Sequence, residues 1–142
     1  MPKRSGAKFL AETLHGYGVT HFFFMPVIVP DAMPEMERLG ITRVMAHSEK
    51  PAAYMADGYA RASRSVAFCG AQSVGANNLA AGLQDAYLAS SPVIALTGRL
   101  PPELQDRWAY QEVDHSNPFK AVTKFSSQVN TTEQLPTYLR QA

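Results

Sequence analysis

One carboxylate in this chain stands where acid–base chemistry is most easily built. Glu49 follows the β-prone run Thr42–Ala46 and opens the helical stretch Glu49–Ala62, so it lies at the junction of a strand and a helix. Two readings of that position differ in sign. A glutamate in the first turn of a helix is favoured as the anion by the helix dipole, which lowers its pKa. A glutamate in a dry, apolar setting, here with Val44, Met45, Ala52, Ala53 and Met55 nearby, is pushed toward its protonated form and can donate a proton.

A second segment, Gln72-Ser73-Val74-Gly75-Ala76-Asn77-Asn78, joins an apolar run to another helical stretch. Gly70 and Gly75 are separated by four residues, as in a phosphate loop, but the Lys-Ser/Thr pair that completes such a loop is missing. Gly75 serves a tight strand-to-helix connection in either case. The four histidines, His15, His21, His47 and His115, form no metal-ligand spacing, so a metal site made from this chain alone is not expected. His115 lies in an irregular loop from which it could reach an active site. Cys69 has no second cysteine to pair with, and its apolar neighbours Val66, Ala67 and Phe68 predict a small buried residue rather than a reactive thiol.

The elements that must position these groups alternate in type. Ala7–Tyr17 carries Phe9, Leu10, Leu14 and Tyr17 at helical spacing, with Gly18 as its stop. Thr20–Met25 reads as a strand buried on both faces and is ended by Pro26 and Pro30. Asp31 is placed to cap a short helix that closes at Gly40. Then come a strand at Thr42–Ala46, the helix Glu49–Ala62, a strand at Val66–Ala71, a helix from Ala76 to Leu88 and a strand at Val93–Thr97. After Gly98 the pattern lapses for about twenty residues, and a loop that long in a compact domain is more often functional than idle. It resumes with Phe125–Val129 and a final helix from Thr132.

Strands alternating with helices predict an α/β fold of three layers, αβα, with a mostly parallel sheet joined by right-handed crossovers. Ligands of such folds bind beyond the carboxyl ends of the strands. Those ends carry Pro26, the 47–49 segment, the 72–78 segment and the start of the irregular loop. The 142 residues are enough for a single domain, 1–142, and too few for two. With 18% charged residues and a net charge of +1, no sign-biased surface points to nucleic acid. No stretch approaches the roughly 18 to 20 apolar residues of a membrane span, and nothing marks the chain for export, so a cytoplasmic location is expected.

Three segments taken together resemble one family over nearly the whole chain. They are His47-Ser48-Glu49-Lys50-Pro51-Ala52-Ala53-Tyr54-Met55-Ala56-Asp57-Gly58-Tyr59-Ala60-Arg61, then Gln72 to Tyr87, and then Ser91 to Gly98 followed by Tyr110-Gln111-Glu112-Val113-Asp114. In order and spacing they are similar to the pyrimidine-binding domain of thiamine-diphosphate-dependent enzymes of the acetolactate synthase and 2-oxo acid decarboxylase type. The resemblance implies that Glu49 shares a proton with N1' of the cofactor's aminopyrimidine, making the 4'-amino group basic enough to deprotonate the reactive carbon. It further implies that Val74, Gly75, Asn78 and Pro26 lie at cofactor-contact positions and that Gln111 faces the substrate side, although a solvated loop glutamine fits Gln111 as well.

The same resemblance implies that thiamine diphosphate is only half enclosed by this chain. Its diphosphate and Mg²⁺ belong to a diphosphate-binding domain or subunit with a Gly-Asp-Gly motif, which this chain lacks; Ala56-Asp57-Gly58 falls inside a helix and is no substitute. The expected context is a larger enzyme, a homo-oligomer (dimer or tetramer), acting on a small carbonyl compound such as a 2-oxo acid by making or breaking a carbon–carbon bond. This chain would be a fragment or subunit of it, lacking the last strand of the fold. Departures from the family pattern are Ser48 directly before Glu49, Ser73-Val74-Gly75 where a Gly-Pro-Gly turn is usual, and Phe24-Met25-Pro26-Val27 for Gly-x-Pro-Gly. Phe24 and Val27 would project where backbone usually leaves room for substrate. They favour a rival expectation, a non-catalytic interaction or regulatory domain that kept the fold.

Overall fold

A computed structural model describes residues 4–26 and 28–142. Its sheet has four parallel strands in the order β2-β1-β3-β4: β1 His21–Phe24, β2 Thr42–Met45, β3 Ala67–Gln72 and β4 Val93–Gly98. The helices are α1 Gly6–Gly16, α2 Ala32–Arg38, α3 Glu49–Ser63, α4 Val74–Leu88, α5 Ser116–Lys120 and α6 Leu135–Gln141. The strand order reverses between β1 and β3, and this reversal sets α1 and α2 on one face of the sheet and α3 and α4 on the other.

Side-chain alternation along the strands fills the two layers. Phe22 and Phe68, paired across β1 and β3, face α1 and α2 and pack with Leu10, Leu14, Ile28 and Met36. Phe23, Ala67, Cys69 and Ala71 face the opposite way, onto Ala52, Ala53 and Ala56 of α3 and Leu79 and Leu83 of α4. A period of two residues with both sets buried is the signature of a sheet covered on both sides. Gly70 makes room for this packing: a Cβ there would lie 2.8 Å from the Phe22 ring. Cys69 is fully buried in β3, and burial pushes its thiol up to about 12.

The α3–α4 layer is unusually close. The facing positions are alanines and glycines, and a Cβ at Gly82 would meet the Lys50 carbonyl oxygen at 2.7 Å and the Ala53 methyl at 2.8 Å. Pro51 in the first turn of α3 needs no intrahelical partner for its missing N–H and so fits a helix beginning at Glu49. Arg64, in a left-handed conformation at φ 56°, ends it.

Most expected elements are present within one or two residues of the expected bounds, and three details differ. Phe125–Val129 forms no strand. A strand exists only with a partner, and this segment makes no ladder; Phe125 and Val129 instead line a groove beside β4, the sheet's edge strand. Asp31 occupies the position before α2 but its side chain makes no capping bond, because the residue is already in a helical conformation. Ser5 does cap α1, its hydroxyl accepting from the Lys8 N–H at 3.2 Å. The irregular region holds a 3-10 turn at Pro102–Leu104 and the single-turn α5, which buries Phe119 under α4.

Candidate active site

Parallel strands bring all four carboxyl ends to one edge of the domain, so Glu49 after β2, Ser73 after β3 and Arg99 after β4 share it. Glu49 is the first residue of α3, held by Ser48 in an extended conformation at φ −160°. Its carboxylate reaches the start of α4. Asn78 Nδ2 donates to Glu49 Oε2 at 3.2 Å, and Gly75 packs so tightly that a Cβ there would lie 2.6 Å from Oε1 and 3.0 Å from Cδ and Cγ. Three of the candidate residues, Glu49, Gly75 and Asn78, therefore form one cluster.

Glu49 is half-buried, with Gly75 closing one side of the carboxyl group. The dry setting expected from its apolar sequence neighbours is not provided by this chain: Met45 and Met55 are exposed, since they project from the open end of the sheet and the outer side of α3. Val74, beside Gly75, presents an exposed apolar side chain, 52% accessible. Pro26 is exposed at the end of β1, where the Met25 N–H extends the pairing to β3 by donating to the Gly70 carbonyl at 3.1 Å. Val27 lies outside the described residues. The Phe24 ring stacks on Phe22, centroids 5.9 Å apart, and packs toward the α1–α2 layer, so its bulk enters the core instead of projecting into the mouth.

Gln111 makes no hydrogen bond to Glu49. It is exposed on the 99–115 loop with φ 64° and makes no side-chain hydrogen bond among the described residues. The loop around it is nonetheless cinched. The Glu112 carboxylate accepts from the backbone N–H groups of Asp106 and Ala109, and these bonds hold its pKa below the usual carboxylate range. Asp114 accepts from the Ser116 N–H at 2.8 Å and from Asn117 at 2.8 Å, which starts α5 and likewise lowers its pKa.

Sequence reading passed over Ser73. It sits at φ 50°, ψ −125°, a region that favours glycine, is 1% exposed, and its hydroxyl has no partner among the described residues. A serine before a helix ordinarily signals a cap through its hydroxyl, so residue type gave no hint of this conformation.

The arrangement offers a carboxyl group at the mouth of a doubly wound sheet, with the Asn78 amide bonded to one oxygen and the apolar Val74 side chain nearby. Among the described residues no group of three or more His, Cys, Asp or Glu side chains is placed to hold a metal ion, and no helix is long and apolar enough to cross a membrane.

Residues 4–117 match the family model described as thiamine pyrophosphate enzyme, N-terminal TPP binding domain, and the chain belongs to this family. It is 37% identical over 142 residues to a probable acetolactate synthase large subunit of Methanocaldococcus jannaschii, covering 96% of this chain and 24% of that protein. It is 37% identical over 143 residues to the acetolactate synthase isozyme 2 large subunit of Escherichia coli, covering 97% and 26%. To the chloroplastic acetolactate synthase of Arabidopsis thaliana it is 33% identical over 144 residues, covering 98% and 21%. The chain thus spans about a quarter of the length of these relatives. The residue types at the mouth are compatible with the pyrimidine half of thiamine diphosphate: a carboxyl group with one oxygen bonded to Asn78 would suit a ring nitrogen, and the exposed Val74 side chain would suit a flat ring.

Proposed function

We propose that this single domain presents Glu49 to the aminopyrimidine of thiamine diphosphate in a larger acetolactate synthase-like enzyme, one that makes or breaks a carbon–carbon bond of a 2-oxo acid or related carbonyl compound. The observation that carries this is the Glu49 carboxylate at the carboxyl edge of the sheet, with Oε2 bonded to Asn78 and Oε1 against Gly75. When bound, the cofactor supplies a stabilised carbanion. The chain's own part is narrower. Glu49 holds a proton at the pyrimidine N1' position, Asn78 fixes its orientation, and Gly75 admits the carboxyl group by having no side chain. Val74 and Pro26 bear on the ring, and Gln111 approaches the substrate side once its loop is packed by the rest of the enzyme. Mg²⁺ and the diphosphate are assigned to a separate diphosphate-binding domain or subunit in a cytoplasmic dimer or tetramer.

The test is Glu49→Gln in the complete enzyme, which keeps the side chain's shape and removes its capacity to exchange a proton. Turnover is expected to fall by about 100-fold or more, the usual contribution of a general acid–base group, with the fold intact. Unchanged turnover eliminates the role. A second reading, an interaction domain without cofactor, is favoured by the altered Ser73-Val74-Gly75 turn. Calorimetric titration with thiamine diphosphate and Mg²⁺ separates the two, since no binding at millimolar cofactor selects the interaction domain.

A further inference from the structure

The turn that carries Gly75 is strained, and something must hold it. Ser73 has a conformation at positive φ that is strained for a residue with a side chain, and its buried hydroxyl has no partner among the described residues to offset it. Its backbone compensates on both sides. The Ser73 N–H donates to the Gly98 carbonyl at 2.9 Å, and the Ser73 carbonyl accepts from the Ala76 N–H at 2.9 Å. The second acceptor site of that carbonyl is taken by His115, whose Nε2 lies 3.0 Å away across 42 residues of sequence.

We infer that His115 is a positioning residue that locks the Ser73 carbonyl and so fixes the Gly75 face against which the Glu49 carboxylate rests. A carbonyl oxygen can only accept, so His115 must carry its proton on Nε2. Burial lowers the pKa of this half-buried imidazole and the Arg99 guanidinium adds to the effect, against the opposing pull of the bond to Ser73 and of the Asp114 carboxylate, so the net direction favours the neutral ring. The histidine is itself fixed from behind: Asp114 starts α5, and α5 buries Phe119 against α4. It also belongs to the loop that bears Gln111. The bond therefore joins the segment expected to face substrate to the turn that bears on the proton-holding carboxylate, and movement of one is felt by the other.

This inference deepens the cofactor-activation reading and rests on it for its consequence in turnover, but the lock itself is measurable without cofactor. In the complete, cofactor-free enzyme, His115→Phe keeps an aromatic ring and removes the donor, while His115→Gln restores an N–H near the Nε2 position. Amide hydrogen exchange at Ser73 and Ala76 is expected to quicken about tenfold or more in His115→Phe and to return to within a few-fold of the parent in His115→Gln. Equal protection in parent and His115→Phe overturns the lock. In the loaded enzyme, kcat of His115→Phe should fall about tenfold at nearly constant KM, with rescue by glutamine; an unrescued loss in which KM rises alone overturns the positioning role. Should the variants fail to fold, the ring ¹⁵N shifts of His115 in the parent decide, because a proton on Nδ1 in place of Nε2 contradicts the bond. Full turnover in Glu49→Gln with slowed exchange dependent on His115 would sink the catalytic reading and leave the lock standing. Loss of turnover in Glu49→Gln with no effect of His115 would do the reverse.

Discussion

Gly75 and Glu49 fit together because Gly75 has no side chain: a methyl group there would stand 2.6 Å from Oε1 and 3.0 Å from Cδ and Cγ, so the flexible Glu49 side chain would have to leave its place. Gly75→Ala should therefore swing Glu49 out of its place and break its bond to Asn78. The fold should tolerate the change, since alanine favours the helix by up to about 1 kcal/mol over glycine and the displaced carboxylate can move into solvent. The expected result is an unfolding midpoint within a few degrees of the parent, with turnover of the complete enzyme lowered about tenfold or more.

Asn78→Ala probes the other oxygen. A hydrogen bond between side chains contributes about 0.5 to 1.5 kcal/mol, and Asn78 is exposed, so its loss should cost little stability. Turnover should drop about three- to tenfold with little change in the melting curve. A loss as large as that of Glu49→Gln would mean that Asn78 does more than orient its neighbour.

Ser73→Gly removes a side chain from a left-handed position together with a buried hydroxyl that has no partner. Relief of strain and of the unsatisfied group outweighs the greater backbone freedom of glycine, which costs about 0.5 to 1 kcal/mol. Thermal unfolding should shift upward by about 3 to 6 °C. A lower midpoint would show that the serine conformation is not strained.

Gly82→Val tests the close approach of α3 and α4. The atoms met at 2.7 and 2.8 Å are the Lys50 carbonyl and the Ala53 methyl, both fixed to the helix backbone, so α3 itself must move. Overpacking of this kind costs about 1 to 3 kcal/mol, seen as a midpoint lower by about 3 to 10 °C. Because Glu49 is the first residue of α3, activity should suffer as well, measured at a temperature where the variant is folded.

The Asp57–Arg61 pair predicts a pH dependence. Asp57 is buried on α3 and accepts two bonds from the Arg61 guanidinium, at 2.9 and 2.8 Å; these bonds, against the opposing effect of burial, hold its pKa below the usual carboxylate range. A carboxylate with a depressed folded pKa adds stability that is complete above the unfolded value and is lost as pH falls through the folded value. Asp57→Asn should thus lower the unfolding midpoint at pH 7, and the gap between parent and variant should narrow below about pH 4. A gap that is constant down to pH 2 would assign the loss to packing alone.

Local pattern and global path account for what could be read in advance. The place of Glu49 at a strand-to-helix junction was legible because the β-prone run Thr42–Ala46 ends and a helical stretch begins there. The two-sided burial of Phe22 and Phe23 was legible from an unbroken apolar run. Phe125–Val129 misled because a strand depends on a neighbour that local sequence does not specify. The conformation of Ser73 was hidden, since its bonds to the Gly98 carbonyl and from the His115 ring join it to residues distant in sequence, which local residue type does not reveal. That Glu49, Gly75 and Asn78 belong to one site was implied by the family resemblance of their segments, whereas the exposed stance of Gln111 depends on the course of a loop whose glycine-poor residues take left-handed turns at Asp106, Trp108 and Gln111.

The lone thiol at the centre of β3 gives the domain a built-in clock. Sealed from solvent and protonated at every physiological pH, Cys69 offers almost no thiolate to a labelling reagent while the layers remain closed. The speed at which an alkylating dye captures it reports how often the sheet parts from its helices, residue by residue silent elsewhere and free of any introduced tag.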